Sequence, residues 1–308
     1  MQPGLLHEFR AMASPCRVRI DGVARRDRDA ADAVQRAAAE VHRIESKYSR
    51  YRADSILSRI NAAAGTGAPV AIDDETRQLL AFAAQLHEAS DGLFDITSGV
   101  LRRAWDFRAS RPPDPAAVAA LLPLVGWQRV VLSEAGVCLP VAGMQLDLGG
   151  IGKEYAADRA ATLLREAGHA HGYVNLGGDI RLLGPMRDGQ PWLLGIAHPR
   201  NAGELAAEVR LGDGALATSG DYERYIDHAG RRYCHVLDPR TGWPVHDWQS
   251  VSVVAPACLA AGALTTIAML KGVDGPAFLR DQGVAHVLVG ATGQVTRWLP
   301  DGGMPAFA

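Results

Sequence analysis

The chain predicts an α+β fold in which largely antiparallel or mixed sheets and packed helices form two intimately associated lobes. Three observations carry this. Strand patterns come in short runs between helices, hairpin signals recur, and no clean linker interrupts residues 1–308, which are read as a single domain. A hydrophobic content of 48% over 308 residues is ample for a sizeable core. The formal net charge of -2 gives no bulk pull on nucleic acid, so no nucleic-acid partner is expected. Cys16, Cys138, Cys234 and Cys258 lie far apart without a CxxC pair, and read as small buried hydrophobes rather than metal ligands. The start, MQPGLLHEFRAMASPCRVRI, lacks the apolar run of a signal peptide or a membrane span. The expectation is a cytoplasmic protein with no membrane insertion.

Taken in order, residues 16–20 (CRVRI) alternate as a strand, and residues 29–48 place Ala33, Ala37, Val41 and Ile44 at helical spacing. A short helix follows, capped near Asp54 or Ser55 and stopped by the glycines at 65 and 67. Acids at the favourable end predict another helix over 74–90. SDGLFDITSG reads as a turn entering a non-periodic loop, and Pro112 to Pro115 as a surface link into a short helix, AAVAALLPL. RVVL and QLDL read as strands. A glycine-rich turn then opens a helix, KEYAADRAATLLREAG. YVNLGGDIRLLG and PWLLGIAH read as strands separated by a DGQ turn, and ALATSG and RYCHVL as a further strand pair. VSVVA is a strand, GALTTIAMLKG a helix, and HVLVGATGQVTRWL a closing hairpin.

Four segments could carry chemistry. In DLGGIGKEYAAD, three glycines between a strand pattern and a helix let the backbone approach a ligand, and the helix start offers free N–H groups to phosphate. Lys153 adds a cation there. The run matches neither GxGxxG nor the P-loop, and a plain tight turn explains it equally. In NLGGDI, the glycines suit a bulge, a close ligand contact or simple sheet curvature, and Asp179 suits bonds to backbone amides. In RYCHVLDPRTGWP, His235 near Asp238 suits an oriented base and Arg240 a phosphate clamp; the modest reading is a DPRTG turn in which Asp238 pairs with Arg240. Ser219 in TSGD lacks the elbow context of an acyl-transfer nucleophile. In SDGLFDIT, Phe94 suits ring stacking or core packing, and Asp95 a polar contact or a turn.

Together these segments resemble the FAD:protein FMN transferase family along nearly the whole chain. The resemblance runs from FRAMASP through YSRYRADSILSRIN, SDGLFDITSG, LDLGGIGKEYAADRA, YVNLGGDI, PWLLGI and ATSGDYERY to YCHVLDPRTGWPV and AGALTTIAML. It implies cleavage of FAD with magnesium, transfer of FMN to a threonine or serine of a target flavoprotein, and release of AMP. A non-catalytic flavin binder and an FAD pyrophosphate hydrolase are the alternatives. By motif, Met12, Tyr51, Leu93, Phe94 and Asp95 would contact FAD. Asp147 and Lys153 would bind it from the glycine turn, and Val236 and Leu237 would line its site. His235 and Lys153 would serve catalysis, and the Gly150 carbonyl and the Thr266 hydroxyl would hold the metal. Three departures stand out. The family's KGY is KEY here, placing Glu154 beside the phosphate region; MGT is MASP; and the metal-binding aspartate four residues before the family's threonine is Gly262. Glycine supplies no carboxylate, so either Glu154 or another acid replaces it, the ion binds with more waters, or it is absent.

Overall fold

The computed structural model describes residues 4–300 and 306–307. A hairpin opens the chain, β1 (Leu5–Ala11) and β2 (Ser14–Ile20), so the strand expected at 16–20 has a partner that the sequence did not reveal. Its two-residue turn puts Met12 and Ala13 at φ 52° and 60°, the left-handed pair such a turn requires. The Met12 N–H donates to Glu45 Oε1 at 2.6 Å and ties the turn to the first helix. That helix, α1 (Arg28–Tyr48), is capped by Asp27, and the expected alanine stripe is its buried face. Ser55 caps α2 (Ile56–Ala62) and Asp73 caps α3 (Asp74–Ala89). SDGLFDITSG is not wholly irregular: Asp95 caps a 3-10 helix, Ile96–Arg103. The short helix after the proline link is α4 (Pro115–Ala119).

RVVL is a strand only in part. β3 (Val131–Ser133) pairs with β4 (Gly136–Cys138) in a small hairpin. QLDL forms no strand; its backbone is held from the side, with Leu146 N–H bound to Asn61 and Asp147 N–H to the Ile96 carbonyl. After α5 (Gly152–Glu166) come β5 (Gly172–Leu176) and β6 (Asp179–Gly184), whose turn is Gly177–Gly178, both at positive φ. NLGGDI is thus a tight hairpin, not a bulge. β7 (Trp192–Ala197) pairs with β8 (Leu205–Leu211) rather than with β6. β9 (Ala215–Gly220) joins the main sheet, whereas β10 (Tyr225–His228) and β11 (Arg231–Cys234) pair with each other, so ALATSG and RYCHVL are not partners. β12 (Trp248–Ala255) leads into α6 (Cys258–Leu270), which starts before Gly262 and places that glycine inside the helix. The sequence did not reveal α7 (Gly275–Asp281), and the chain closes with β13 (His286–Gly290), β14 (Val295–Trp298) and β15 (Ala306–Phe307).

Eight strands form the main sheet in the order β1-β2-β5-β6-β9-β12-β13-β14, with antiparallel neighbours throughout. A second sheet runs β15-β8-β7. The α+β expectation, with antiparallel sheet dominant, is what the chain adopts. Successive residues of one strand serve opposite cores: Leu183 packs into the cluster containing α1 and α5, while Leu182 packs towards β7 and β8. In β12, Val253 faces the α6 cluster and Val254 the other side. All four cysteines are free, with Cys16, Cys234 and Cys258 buried, as small hydrophobes should be.

Helices α1 and α5 pack against each other, and Ala30, Ala33 and Ala37 of one and Ala156, Ala157, Ala160 and Ala161 of the other lie buried in one core. Fully buried small side chains leave little room for larger ones. Ala160→Leu is expected to lower the unfolding free energy by about 1–3 kcal/mol. Urea unfolding measures it; an unchanged midpoint would show that the seam can open.

Candidate active site

A cleft of about 440 Å³ opens between the β1–β2 turn, the segment following α1, the Leu93–Arg102 region, the start of α5 and the chain around His235. Its size suits a small-molecule ligand. Every residue to which the family resemblance gave a binding, catalytic or metal-holding role lines it: Met12, Tyr51, Leu93, Phe94, Asp95, Asp147, Gly150, Lys153, His235, Val236, Leu237 and Thr266. Segments more than two hundred positions apart therefore share one space.

Their circumstances differ. Tyr51 stands at the rim, 82% exposed, with Arg50 over its ring at 5.8 Å. Phe94 is buried, and its ring edge lies 3.4 Å from the position a Cβ at Gly150 would take, so the aromatic ring packs beside the turn. The Asp95 carboxylate is engaged locally: Oδ1 accepts from Thr97 N and Oγ1, and Oδ2 from Trp127 N at 2.9 Å. It braces the loop that presents Leu93 and Phe94. Asp147 accepts from Gly149 N at 2.9 Å and pairs with Arg50 at 2.8 Å, fixing the entry to the glycine turn.

Helix α5 begins without a side-chain cap at the cleft wall; the Gly152 N–H donates to the Leu148 carbonyl at 2.7 Å and the Tyr155 N–H to the Ile151 carbonyl at 3.0 Å, so the phosphate reading falls to the amides of Lys153 and Glu154. Lys153 is paired directly with Asp179. Burial works against its charge, yet Asp179 and Glu154 hold its pKa above the ordinary lysine value. Asp179 also accepts from Thr218 N at 3.0 Å, so it binds a backbone amide as expected and restrains the lysine as well. Beside it, burial pushes the Glu154 carboxyl upward; Lys153 opposes this and the charge of Asp179 adds to it. On α6, Thr266 is linked through Ser219 Oγ (3.3 Å) to β9, and Ser219 also meets Thr265 at 2.8 Å.

His235 is half-buried, and its Nδ1 has no hydrogen-bond partner among the described residues. Burial, reinforced by Arg102 and Arg224, lowers its pKa to about 4, so the ring is neutral near pH 7. Asp238 does not orient it. That carboxylate accepts from Arg240 N at 2.8 Å and Arg240 Nη2 at 2.8 Å, the modest reading of DPRTG, and exposed Arg240 is absent from the cleft wall. The Trp105 indole binds the Gly242 carbonyl at 2.8 Å and locks this turn, placing Val236 and Leu237. The arginines of the cleft are instead Arg50, Arg102 and Arg224, which the sequence reading missed. They share no spacing; only their nearness to motif residues pointed to them.

An antiparallel sheet backed by helices, with a glycine turn and an uncapped helix opening on an arginine-rich cleft, defines an α+β protein built to hold an anionic ligand. The chain belongs to the ApbE family, whose model matches residues 12–296. It is 36% identical to the FAD:protein FMN transferase of Treponema pallidum over 272 residues, covering 78% of this chain and 74% of that one. Against the FAD:protein FMN transferase of Haemophilus influenzae it is 31% identical over 242 residues, 75% and 70% of the two chains. The crystal structure of the ApbE protein from Thermotoga maritima matches with a TM-score of 0.87 at 30% identity, over 96% of each chain. The flavin transferase ApbE of Vibrio cholerae matches at 0.82 and 27% identity, over 97% of this chain and 98% of its own. Among the described residues no helix is long and apolar enough to cross a membrane.

A histidine held below its ordinary value of 6.5 stabilises the fold fully above that pH, and the contribution is lost as pH falls towards about 4. His235→Gln should therefore flatten the decline in unfolding free energy across that window. Denaturant titrations at stepped pH would read it, and parallel declines in the two proteins would contradict the burial of a neutral ring.

Proposed function

We propose that this protein is an FAD:protein FMN transferase, moving FMN from FAD to a threonine or serine of a target flavoprotein and releasing AMP. The observation that carries the reading is the convergence of the Gly149–Gly152 turn, Lys153, His235 and Thr266 on one cleft, in a chain of the ApbE family. The names of the relatives support the same activity.

In this reading the N–H groups at the start of α5 and the Lys153 ammonium receive the pyrophosphate, while Leu93, Phe94, Val236 and Leu237 offer apolar surface to the flavin half. The acceptor hydroxyl oxygen attacks the FMN-side phosphorus. Its proton passes to the neutral imidazole of His235, the bond from that phosphorus to the bridging oxygen breaks, and this oxygen leaves on AMP. Positioning and fixed charge supply most of the acceleration, as in other phosphoryl transfers. The residues present suit a hard divalent cation, since Thr266 and Gly150 line the cleft together with Glu154, whose buried Oε2 has no partner. Thr266 and Gly150 would hold magnesium, which supplies positive charge to the pyrophosphate.

His235 is a weak base in the free protein because burial and two arginines disfavour its protonation. A bound pyrophosphate offsets Arg102 and Arg224 and moves the ring back towards its ordinary range. The acid limb of kcat/KM is thus expected near pH 4 and that of kcat at a distinctly higher pH. Coincident limbs would remove His235 from the proton transfer.

AMP release from FAD in the presence of an acceptor peptide tests the activity itself. Wild type should release AMP, and His235→Ala should slow release by about 10²–10⁴-fold. FAD binding without AMP would leave a flavin-binding protein, and AMP without acceptor labelling a hydrolase.

A further inference from the structure

Helices α5 and α6 cross in a fixed register. The carboxylate of Asp158, on α5, accepts the amides of Cys258 (2.9 Å) and Leu259 (2.8 Å) at the start of α6. One turn earlier on α5 is Glu154, and it lies against Gly262, one turn further along α6. A Cβ built at position 262 would fall 2.4 Å from Glu154 Cγ, 2.9 Å from Cδ and 3.1 Å from Oε1. The Glu154 carboxyl therefore fills the space that a side chain at 262 would enter. Any side chain at 262 would require Glu154 to move.

Thr266 stands one more turn along the same face of α6 and lines the cleft. Glu154 lines that cleft, is 7% exposed, and has an Oε2 without any hydrogen-bond partner. Its nearest cation, Lys153, is 4.0 Å from Oε1 and is already held by Asp179. A carboxyl kept for structure alone would be satisfied by its neighbours, because a buried orphan oxygen is destabilising. A buried, unpartnered carboxyl oxygen on a residue that lines the same cleft as Thr266 is suited to a ligand that reaches it from there.

We infer that Glu154 supplies, from α5, the carboxylate that binds a divalent cation beside Thr266, the place a side chain at position 262 of α6 would otherwise serve. The inference rests on the pyrophosphate-transfer reading above. It makes positions 154 and 262 exchangeable: an acid at either, with glycine at the other, delivers a carboxylate to the same point between the helices.

The test is Mn2+ binding to the full chain saturated with FAD, with free Mn2+ read by electron paramagnetic resonance. Glu154→Gln, close in shape but uncharged, should weaken Mn2+ by about tenfold or more. Gly262→Asp alone should lower the melting temperature, since its Cβ collides with Glu154. The double exchange Glu154→Gly with Gly262→Asp should relieve the collision and restore Mn2+ affinity to within a few-fold of wild type. Unaltered Mn2+ affinity in Glu154→Gln, or a well-folded double exchange that does not regain the ion, would overturn the assignment. Flavin fluorescence recorded in the same titrations separates the two claims. FAD binding with acceptor labelling, but with Mn2+ indifferent to Glu154, contradicts this inference and leaves the transferase standing. A chain that takes up no FAD contradicts both.

Discussion

The crossing of α5 and α6 is the constraint on which the rest of the site depends. One carboxylate, Asp158, supplies the N-terminal amides of α6 with the acceptors that α6 lacks from its own cap residue, Ala257. Because that bond joins the two helices, it sets which residues face each other one turn on. The Gly149–Gly152 turn, Lys153 and Glu154 at one end of α5 are thereby brought to the face of α6 that carries Thr266. The sheet beneath supplies a floor. β6 carries Asp179 to Lys153, and β9 carries Ser219 to Thr266. Both strands are central in the order, so their positions are fixed by pairing on two sides.

Charge in the cleft is arranged by restraint rather than by excess. Arg50 is held by Asp147 and Lys153 by Asp179, so each cation keeps its place before an anion arrives. Such pairs bring positioning more than stability, since desolvation offsets much of the attraction. His235 is kept neutral by burial and by its two arginine neighbours, and a neutral imidazole is the form able to take a proton. The aromatic cluster of Trp105, Phe107 and Trp243 stiffens the turn that follows His235, with Trp105 and Trp243 meeting edge to face at 5.2 Å.

Much of this was legible in the sequence, for reasons that differ from element to element. The α1 stripe of Ala33, Ala37, Val41 and Ile44 declares its buried face by period alone, and Asp73 and Ser55 act as the caps their residue types suggest. Strand partners were harder, because pairing is a non-local choice. β6 and β7 read as strands separated by the DGQ turn, and nothing in the sequence said that β7 would pair with β8 in a separate sheet. QLDL alternates like a strand, but its N–H groups are taken by Asn61 and Ile96, leaving no ladder to join. The site was legible through motif resemblance, which singled out the residues that share the cleft. Its arginines were not, since Arg50, Arg102 and Arg224 come from three unrelated segments. The place of Glu154 against Gly262 was raised only as one option, because a helix crossing cannot be read from spacing.

In the proposed reaction this cleft breaks the FAD pyrophosphate and hands the FMN half to a protein hydroxyl. Intact mass of an acceptor flavoprotein domain, recorded after incubation with FAD and this protein while AMP is counted in the same sample, tests it most directly. The account predicts that the acceptor gains the mass of one FMN less water, that one AMP appears for each acceptor modified, and that replacing the acceptor hydroxyl by alanine abolishes both. An acceptor of unchanged mass, with the protein folded and FAD bound, would contradict it.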